Sequence, residues 1–181
     1  EMTGFRVGIG FGNYTKTLLD KDVGSVFLKI FGWNIIFSLL SVLFTLALGC
    51  LLAVVTNWES LRGRGLYRAL LFLPYAVPGF ISILVFKGMF RDSGEINLIL
   101  NLMSFGSINW GGTPLGAKAM LLLIKTRLGY PYMMLLCQAL IKAISADLYE
   151  ASALAGAGPI TNFFKITAPL IVRPIMPLLV A

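Results

Sequence analysis

Charged residues in this chain are gathered into short clusters, and between them run stretches that carry few or none. The longest, residues 30–58, is 29 residues without an Asp, Glu, Lys or Arg. A helix crosses the hydrocarbon of a bilayer in about 20 residues, so this stretch predicts a spanning helix. Lys29 and Trp33 at one end, and Asn57, Trp58 and Glu59 at the other, supply anchors for the two interfaces. Gly49 and Ala53, four apart, share a face that a second helix can approach closely. Residues 69–86 form a second uncharged run of 18, broken by Pro74, Pro78 and Gly79. Each proline withdraws a backbone donor, which leaves the carbonyls of Leu70 and Pro74 without helical partners. In lipid those carbonyls need cover, so the segment is expected to bend, as a simple kink or as one of the interrupted helices from which transporters build sites. Residues 119–144 make a third span that carries Lys125 and Arg127, and residues 168–181 begin a fourth. A cation at mid-helix costs about 2.5–3.5 kcal/mol on insertion scales, so these two demand a reason. Pro131, with Gly129, Tyr130 and Tyr132 around it, is expected to interrupt the third span.

The fold class that follows is all-α, a polytopic transmembrane helical protein with about three full spans and the start of a fourth. Residues 1–26 are mixed and Gly-rich and read as an extramembrane lead-in to the transmembrane part, residues 27–181. Residues 61–68 hold Arg62, Arg64 and Arg68 and no acid, a basic turn placed on the cytoplasmic side by the positive-inside rule. Residues 91–115 have Arg91 as their one Lys or Arg and fit the outer face, with an apolar patch at 96–105 that suits a short interfacial helix. Lys142 then closes the third span on the side of the basic turn, which makes residues 145–168 cytoplasmic as well.

Composition agrees. With 57% hydrophobic and 13% charged residues and a mean hydropathy of +0.85, the chain is too apolar for a soluble domain, which carries about 25% charge. The net charge of +7 sits beside apolar segments and shows no basic stripe with interleaved aromatics, so nucleic acid is not indicated. There is no His, which excludes His-based metal or acid–base chemistry, and no metal site or catalytic group is expected. Cys50 and Cys137 lie in apolar segments, where a thiol behaves as a small hydrophobe. No Gly-x-x-x-x-Gly-Lys-Ser/Thr phosphate loop is present, so any ATP is bound and hydrolysed by a partner. The chain begins without a signal pattern and stops inside an apolar segment, and is expected to be an excerpt of a longer subunit.

The loop at 145–168 is the most informative stretch. Asp147 is placed to cap a short helix at 148–155, and Gly156, Gly158 and Pro159 stop it before a second helical turn at 160–167. Read through, it is Glu150-Ala151-Ser152, three residues, Gly156, nine residues, Ile166, two residues and Pro169. This spacing resembles the EAA loop of the membrane subunits of binding-protein-dependent ABC importers, with Ser152 standing for the second Ala and Ala168 for a Leu. Leu73-Pro74-Tyr75-Ala76-Val77-Pro78 and Leu128-Gly129-Tyr130-Pro131-Tyr132 extend the resemblance, which is to the larger membrane subunit of the maltose and maltodextrin type.

The resemblance implies a bacterial inner-membrane, multi-pass permease subunit that forms a translocation path for a maltose-type oligosaccharide by alternating access. It implies a second permease subunit, two ATP-binding subunits and a periplasmic sugar-binding protein as partners, with no cofactor of its own. Glu150, Ala151, Ser152 and Gly156 would couple the subunit to its ATPase, and Leu128, Gly129 and Tyr132 would contact sugar. Read from the residues alone, Tyr132 could equally pack against a neighbouring helix. A self-contained secondary carrier or anion channel, with Lys125 and Arg127 lining the path, is the alternative. The two cations also admit an acidic or phosphorylated sugar in place of a neutral one. For the topology, single cysteines at Ser60, Ser107 and Ser145, in a background lacking Cys50 and Cys137, are expected to react with an impermeant thiol reagent from outside at position 107 alone. Labelling of 60 or 145 from outside would overturn the assignment.

Overall fold

The computed structural model describes residues 10–19, 21–58 and 61–180. In order these form helices α1 (Gly12–Leu19), α2 (Lys21–Asn57), α3 (Arg64–Phe72), a 3-10 turn (Leu73–Ala76), α4 (Gly79–Met89), α5 (Glu95–Leu102), α6 (Pro114–Ala143), α7 (Ala146–Leu154), α8 (Pro159–Asn162), a π turn (Phe163–Thr167) and α9 (Ala168–Val180). Among the described residues, α2 and α6 are each long and apolar enough to cross a membrane. The bent pair Arg64–Ala76 and Gly79–Met89 makes a third crossing if it is one span. Of the most apolar stretches of α2 and α6 only 17% and 22% is buried, so most of their apolar surface is left to lipid or to other helices.

The chain divides into two units, residues 1–40 and 41–181. In the first, α2 begins nine residues before the uncharged run at 30–58. Val23, Val26, Phe27 and Leu28 are apolar, and Lys29 can carry its charge to the interface on a long stem, so the helix extends past its cation. Phe27 stacks on Phe31 at 6.1 Å and Trp33 tilts against Phe37 at 5.8 Å. The expected lead-in thus holds α1 and the first turns of α2, and its residues 1–9 and Asp20 lie outside the described residues, as do the interface anchor Glu59 and Ser60.

In the second unit the C-terminal half of α2 lies parallel to α6. A Cβ on Gly129 would come within 2.8 Å of Thr45, and one on Gly49 within 2.7 Å of the Met133 side chain and 2.8 Å of the Met134 backbone. Further along, the Gln138 amide donates to the Thr56 hydroxyl at 2.8 Å. The paired positions rise together, 45 with 129, 49 with 133 and 56 with 138, which makes the two helices parallel and puts their C-terminal ends at one end of the unit. The core sits between them, with Ala53, Met134 and Cys137 packed against Ile171 and Ile175 of α9. The small residues at 49 and 53 act as the sequence pattern predicts, letting backbones meet.

One expectation is corrected, and one left open between two readings is decided. Pro131 does not interrupt the third span: α6 runs unbroken from Pro114 to Ala143 with Pro131 buried inside it. One lost bond in a helix of 30 residues is absorbed when neighbouring turns are held by packing on both sides. Residues 69–86, in contrast, do more than kink. The helix tightens to a 3-10 turn at Leu73–Ala76, passes through extended Val77, and restarts at Gly79 at an angle of 94°. Val77 is extended because it precedes Pro78, whose ring disfavours a helical neighbour.

The basic turn also has a structural task. Arg68 donates to the Thr56 carbonyl at 2.8 Å and to the Asn57 side chain at 2.6 Å, so a cation covers the open carbonyl end of α2. On the far side, Asn97 is 1% exposed and ties the 91–113 segment together. Its amide donates to the Ile108 carbonyl at 2.9 Å and the Asp92 carbonyl at 3.2 Å, and its oxygen accepts from Ile108 N–H at 3.0 Å and the Trp110 indole at 3.1 Å. Gly49→Leu is expected to destabilise the helix pair by about 1–3 kcal/mol, because its side chain meets backbone and not a yielding tip. Gly32→Ala, with open space around it, should change stability by less than about 1 kcal/mol. Thermal inactivation of the detergent-solubilised protein distinguishes the two.

Candidate functional site

The loop that the sequence singles out is a helix, a left-handed residue and a helical rod. Ser145, not Asp147, caps α7, its hydroxyl accepting from the Asp147 N–H at 3.3 Å. Asp147 falls in the first turn, where its charge suits the positive end of the helix. At the other end the N–H of Ala157 bonds the Ser152 carbonyl at 3.0 Å and that of Gly156 bonds the Ala153 carbonyl at 2.9 Å, with Gly156 at φ +75°. This is the Schellman arrangement, which closes the open carbonyls of a helix by one left-handed residue. A Cβ on Gly156 would meet nothing within 4 Å, so the backbone angle and not space selects glycine there.

From Pro159 the chain stays helical to Val180, widened by the π turn at Phe163–Thr167, where the Ala168 N–H reaches back to the Phe163 carbonyl. Pro169 explains the widening: with no N–H, it cannot serve the Lys165 carbonyl in an α turn. Two contacts tie α7 to this rod. The Tyr149 and Thr167 hydroxyls are 2.9 Å apart, and the Ser152 hydroxyl donates to the Asn162 side-chain oxygen. The outward face of α7 is left open: Glu150 and Ala151 are exposed, Leu154 is 92% exposed, and Ile160 and Phe164 stand out beside it. Behind α7 a cavity of about 520 Å³ opens between Trp58, Ile141, Tyr149 and Asn162.

The second candidate region is the bend between α3 and α4, which faces α6. A cavity of about 430 Å³ is lined there by Leu73, Pro74, Val77 and Ser82 from the bent segment and by Arg127 and Leu128 from α6. Of the residues expected to contact sugar, Leu128 lines this cavity. Gly129 is turned away to the Thr45 contact with α2, and Tyr132, one turn beyond Leu128, is 44% exposed and does not line the cavity. Lys125 and Arg127 also part company, since two residues on a helix point about 200° apart. Arg127 reaches the cavity and Lys125 is exposed elsewhere.

The residue that sequence reasoning missed is Tyr130. It is 5% exposed, its hydroxyl donates to the Leu71 carbonyl at 3.0 Å, and its ring lies 5.2 Å from the Arg127 guanidinium, which also contacts the hydroxyl at 3.4 Å. Pro74 accounts for this bond. In a 3-10 turn the donor to Leu71 would be residue 74, which as proline has none, so the Leu71 carbonyl is freed along with that of Leu70, since the Leu73 N–H bonds the Ala69 carbonyl. A polar-tipped aromatic in one span facing a proline break in another is the signal that could have found it.

Known proteins place these features in context. Residues 45–181 match the family described as binding-protein-dependent transport system inner membrane component. The chain is 53% identical over 179 residues to the maltose/maltodextrin transport system permease protein MalF of Yersinia pestis, covering 98% of this chain and 34% of that protein. To its counterpart in Escherichia coli K12 it is 51% identical, covering 98% and 35%. It thus spans about a third of the length of these relatives. Among solved structures, a bacterial ABC transporter involved in the import of the acidic polysaccharide alginate superposes with a TM-score of 0.77 at 22% identity, over 95% of this chain and 59% of that one. The same transporter type in complex with an alginate pentasaccharide-bound periplasmic protein gives 0.78 at 22%, over 96% and 59%. At that identity the likeness is one of fold.

The two loop glycines separate backbone strain from space. Gly156→Ala places a side chain at φ +75°, which costs about 1–2 kcal/mol. Gly158→Ala, at φ −78° with nothing within 4 Å, should be neutral or stabilising by up to about 1 kcal/mol. Protease nicking of the inserted protein between α7 and α8 is expected to quicken in the first variant only.

Proposed function

Since the chain belongs to the family of binding-protein-dependent transport system inner membrane components, we propose that it is the core of the larger permease subunit of an ATP-driven importer of maltose-type oligosaccharides. Its partners in this reading are a second permease subunit, two ATP-binding subunits and a periplasmic sugar-binding protein. It holds no cofactor of its own and hydrolyses nothing, the ATP being bound by the partner subunits. The oligosaccharide class is the one named for the relatives that share half of its residues.

The observation that carries the reading is the double attachment of α7. Its outer face, with Glu150, Ala151 and Leu154, is bare. Its inner face is hydrogen-bonded through Tyr149 and Ser152 to Thr167 and Asn162, on the rod that continues into α9. Ile171 and Ile175 of α9 are fully packed against Ala53 of α2 and Met134 and Cys137 of α6. A partner seated on α7 therefore pushes on a lever whose other end lies in the core. ATP-driven closure of the ATPase pair moves α7, the rod moves with it, and the spans re-aim the side of the membrane to which the sugar path opens. Packed cores switch between discrete arrangements instead of deforming gradually, which is what alternating access requires.

The test uses the complete transporter in proteoliposomes. Uptake is expected to require the ATP-binding subunits, and sugar uptake without them would favour the self-contained carrier. Glu150→Ala, which removes the charge from the bare face, should lower uptake and stimulated ATP hydrolysis together by roughly 5- to 150-fold, the span of a coupling of about 1–3 kcal/mol, with the subunit still inserted. Unchanged stimulation would remove the loop from the mechanism.

A further inference from the structure

We infer that the cavity under the 94° bend recognises an anionic group on the transported oligosaccharide, with Arg127 as its charge-selecting residue. The inference rests on the importer reading above and adds to its substrate class an anionic substituent that maltose itself lacks. Arg127 stands midway along a spanning helix that contains no Asp or Glu from Pro114 to Ala143. Among the described residues it makes no ion pair; its one hydrogen bond goes to the Tyr130 hydroxyl at 3.4 Å, and its charge rests 5.2 Å from the Tyr130 ring. Both contacts are to a neutral group. They orient the guanidinium without compensating it, and Tyr130 is itself held by its bond to the Leu71 carbonyl at 3.0 Å.

A guanidinium has five N–H donors in a planar fork, so most remain for a ligand. The rest of the cavity is leucine, proline, valine, phenylalanine and methionine, with Ser82 as the other polar side chain. In such a low-dielectric setting a cation attracts an anion far more strongly than in water, and the fork fits carboxylate, sulfate or phosphate with two parallel bonds. A volume of about 430 Å³ admits a sugar unit. A neutral sugar would leave the half-buried charge without an ion-pair partner, whereas one carrying a carboxylate would neutralise it. The site thus discriminates by charge. Lys125, on another face of α6, takes no part.

The experiment is uptake by the complete transporter, with its own binding protein held constant, of maltotriose and of the same trisaccharide with one C6 hydroxymethyl oxidised to carboxylate. Arg127→Gln is expected to lower the acidic-to-neutral uptake ratio at least tenfold, and Arg127→Lys to keep it within threefold of wild type. An unchanged ratio in Arg127→Gln, or equal loss for both sugars, overturns the proposal while ATP-dependent uptake leaves the importer reading intact. Uptake of neither sugar by the wild type overturns both. A defect confined to vesicles containing phosphatidylglycerol, and equal for both sugars, assigns the guanidinium to a lipid headgroup and also overturns it. Should Arg127→Gln not assemble, Tyr130→Phe removes the anchoring hydroxyl without changing charge, and is expected to lower the ratio at least threefold. No change there counts against the proposal.

Discussion

The distance between α2 and α6 is the constraint on which the second unit depends. It is set at two points where a helix has no side chain: Gly129 against Thr45 and Gly49 against Met133 and Met134. In a membrane there is no hydrophobic effect between helices to draw them together, so contact relies on dispersion at short range, and that falls away with a fraction of an ångström. Once the backbones meet, the polar bond from Gln138 to Thr56 comes within reach, and the Thr56 hydroxyl in turn donates to the Leu52 carbonyl at 2.7 Å. The Thr56 carbonyl, open because α2 ends at Asn57, accepts from Arg68, which brings in α3. One close approach therefore sets three helices, and Ile171 and Ile175 fill the remaining side of the core.

Backbone polarity is the second constraint, and it is met differently at each proline. In α6 the helix continues past Pro131. In α9 the ladder widens to a π turn ahead of Pro169. Between α3 and α4, at Pro74 and Pro78, the chain leaves the helix altogether, whereas Pro174 and Pro177 are both carried inside α9. The carbonyl it abandons at Leu71 is covered by a hydroxyl from α6, so the bend is fixed by a side chain on the helix it faces. A break that is hydrogen-bonded in this way is a built feature and leaves a cavity beside it.

Much of this was legible in the sequence, for physical reasons that differ by element. The span at 30–58 is visible because absence of charge over such a length has one explanation. The close approach at Gly49 and the bend at Gly156 are visible because glycine four from a small residue, or glycine ahead of Gly-Pro, has few uses. Helix ends were read less well: Ser145 takes the cap expected of Asp147, and α2 starts before its uncharged run, since both choices are decided by local bonds worth about 1 kcal/mol. The partner of the Leu71 carbonyl was not legible, because the switch from α to 3-10 geometry frees a carbonyl that α spacing does not point to, and its donor is 59 residues away. Whether Lys125 and Arg127 act together was a question of face, and a spacing of two on a helix separates them.

The cavity cation and the packing against α9 lie on one stripe of one helix. Arg127, Tyr130, Met134 and Gln138 follow the spacing of three and four that keeps residues on a single face of α6. At the upper end that face holds the cavity cation and the bond to the bend. Lower down, Met134 is packed against Ile171 and Ile175 of α9, and Gln138 is bonded to α2. The rod ending in α9 begins at the loop that α7 presents to the outside. A displacement of that loop thus arrives on the same face that holds Arg127, carried by a helix that runs unbroken over 30 residues with the single bond lost at Pro131. What it meets there is the tyrosine that fixes both the bend and the guanidinium. A small rotation of α6 would shift the Tyr130 hydroxyl relative to the Leu71 carbonyl and the Arg127 charge relative to the cavity in one motion, because one side chain touches both.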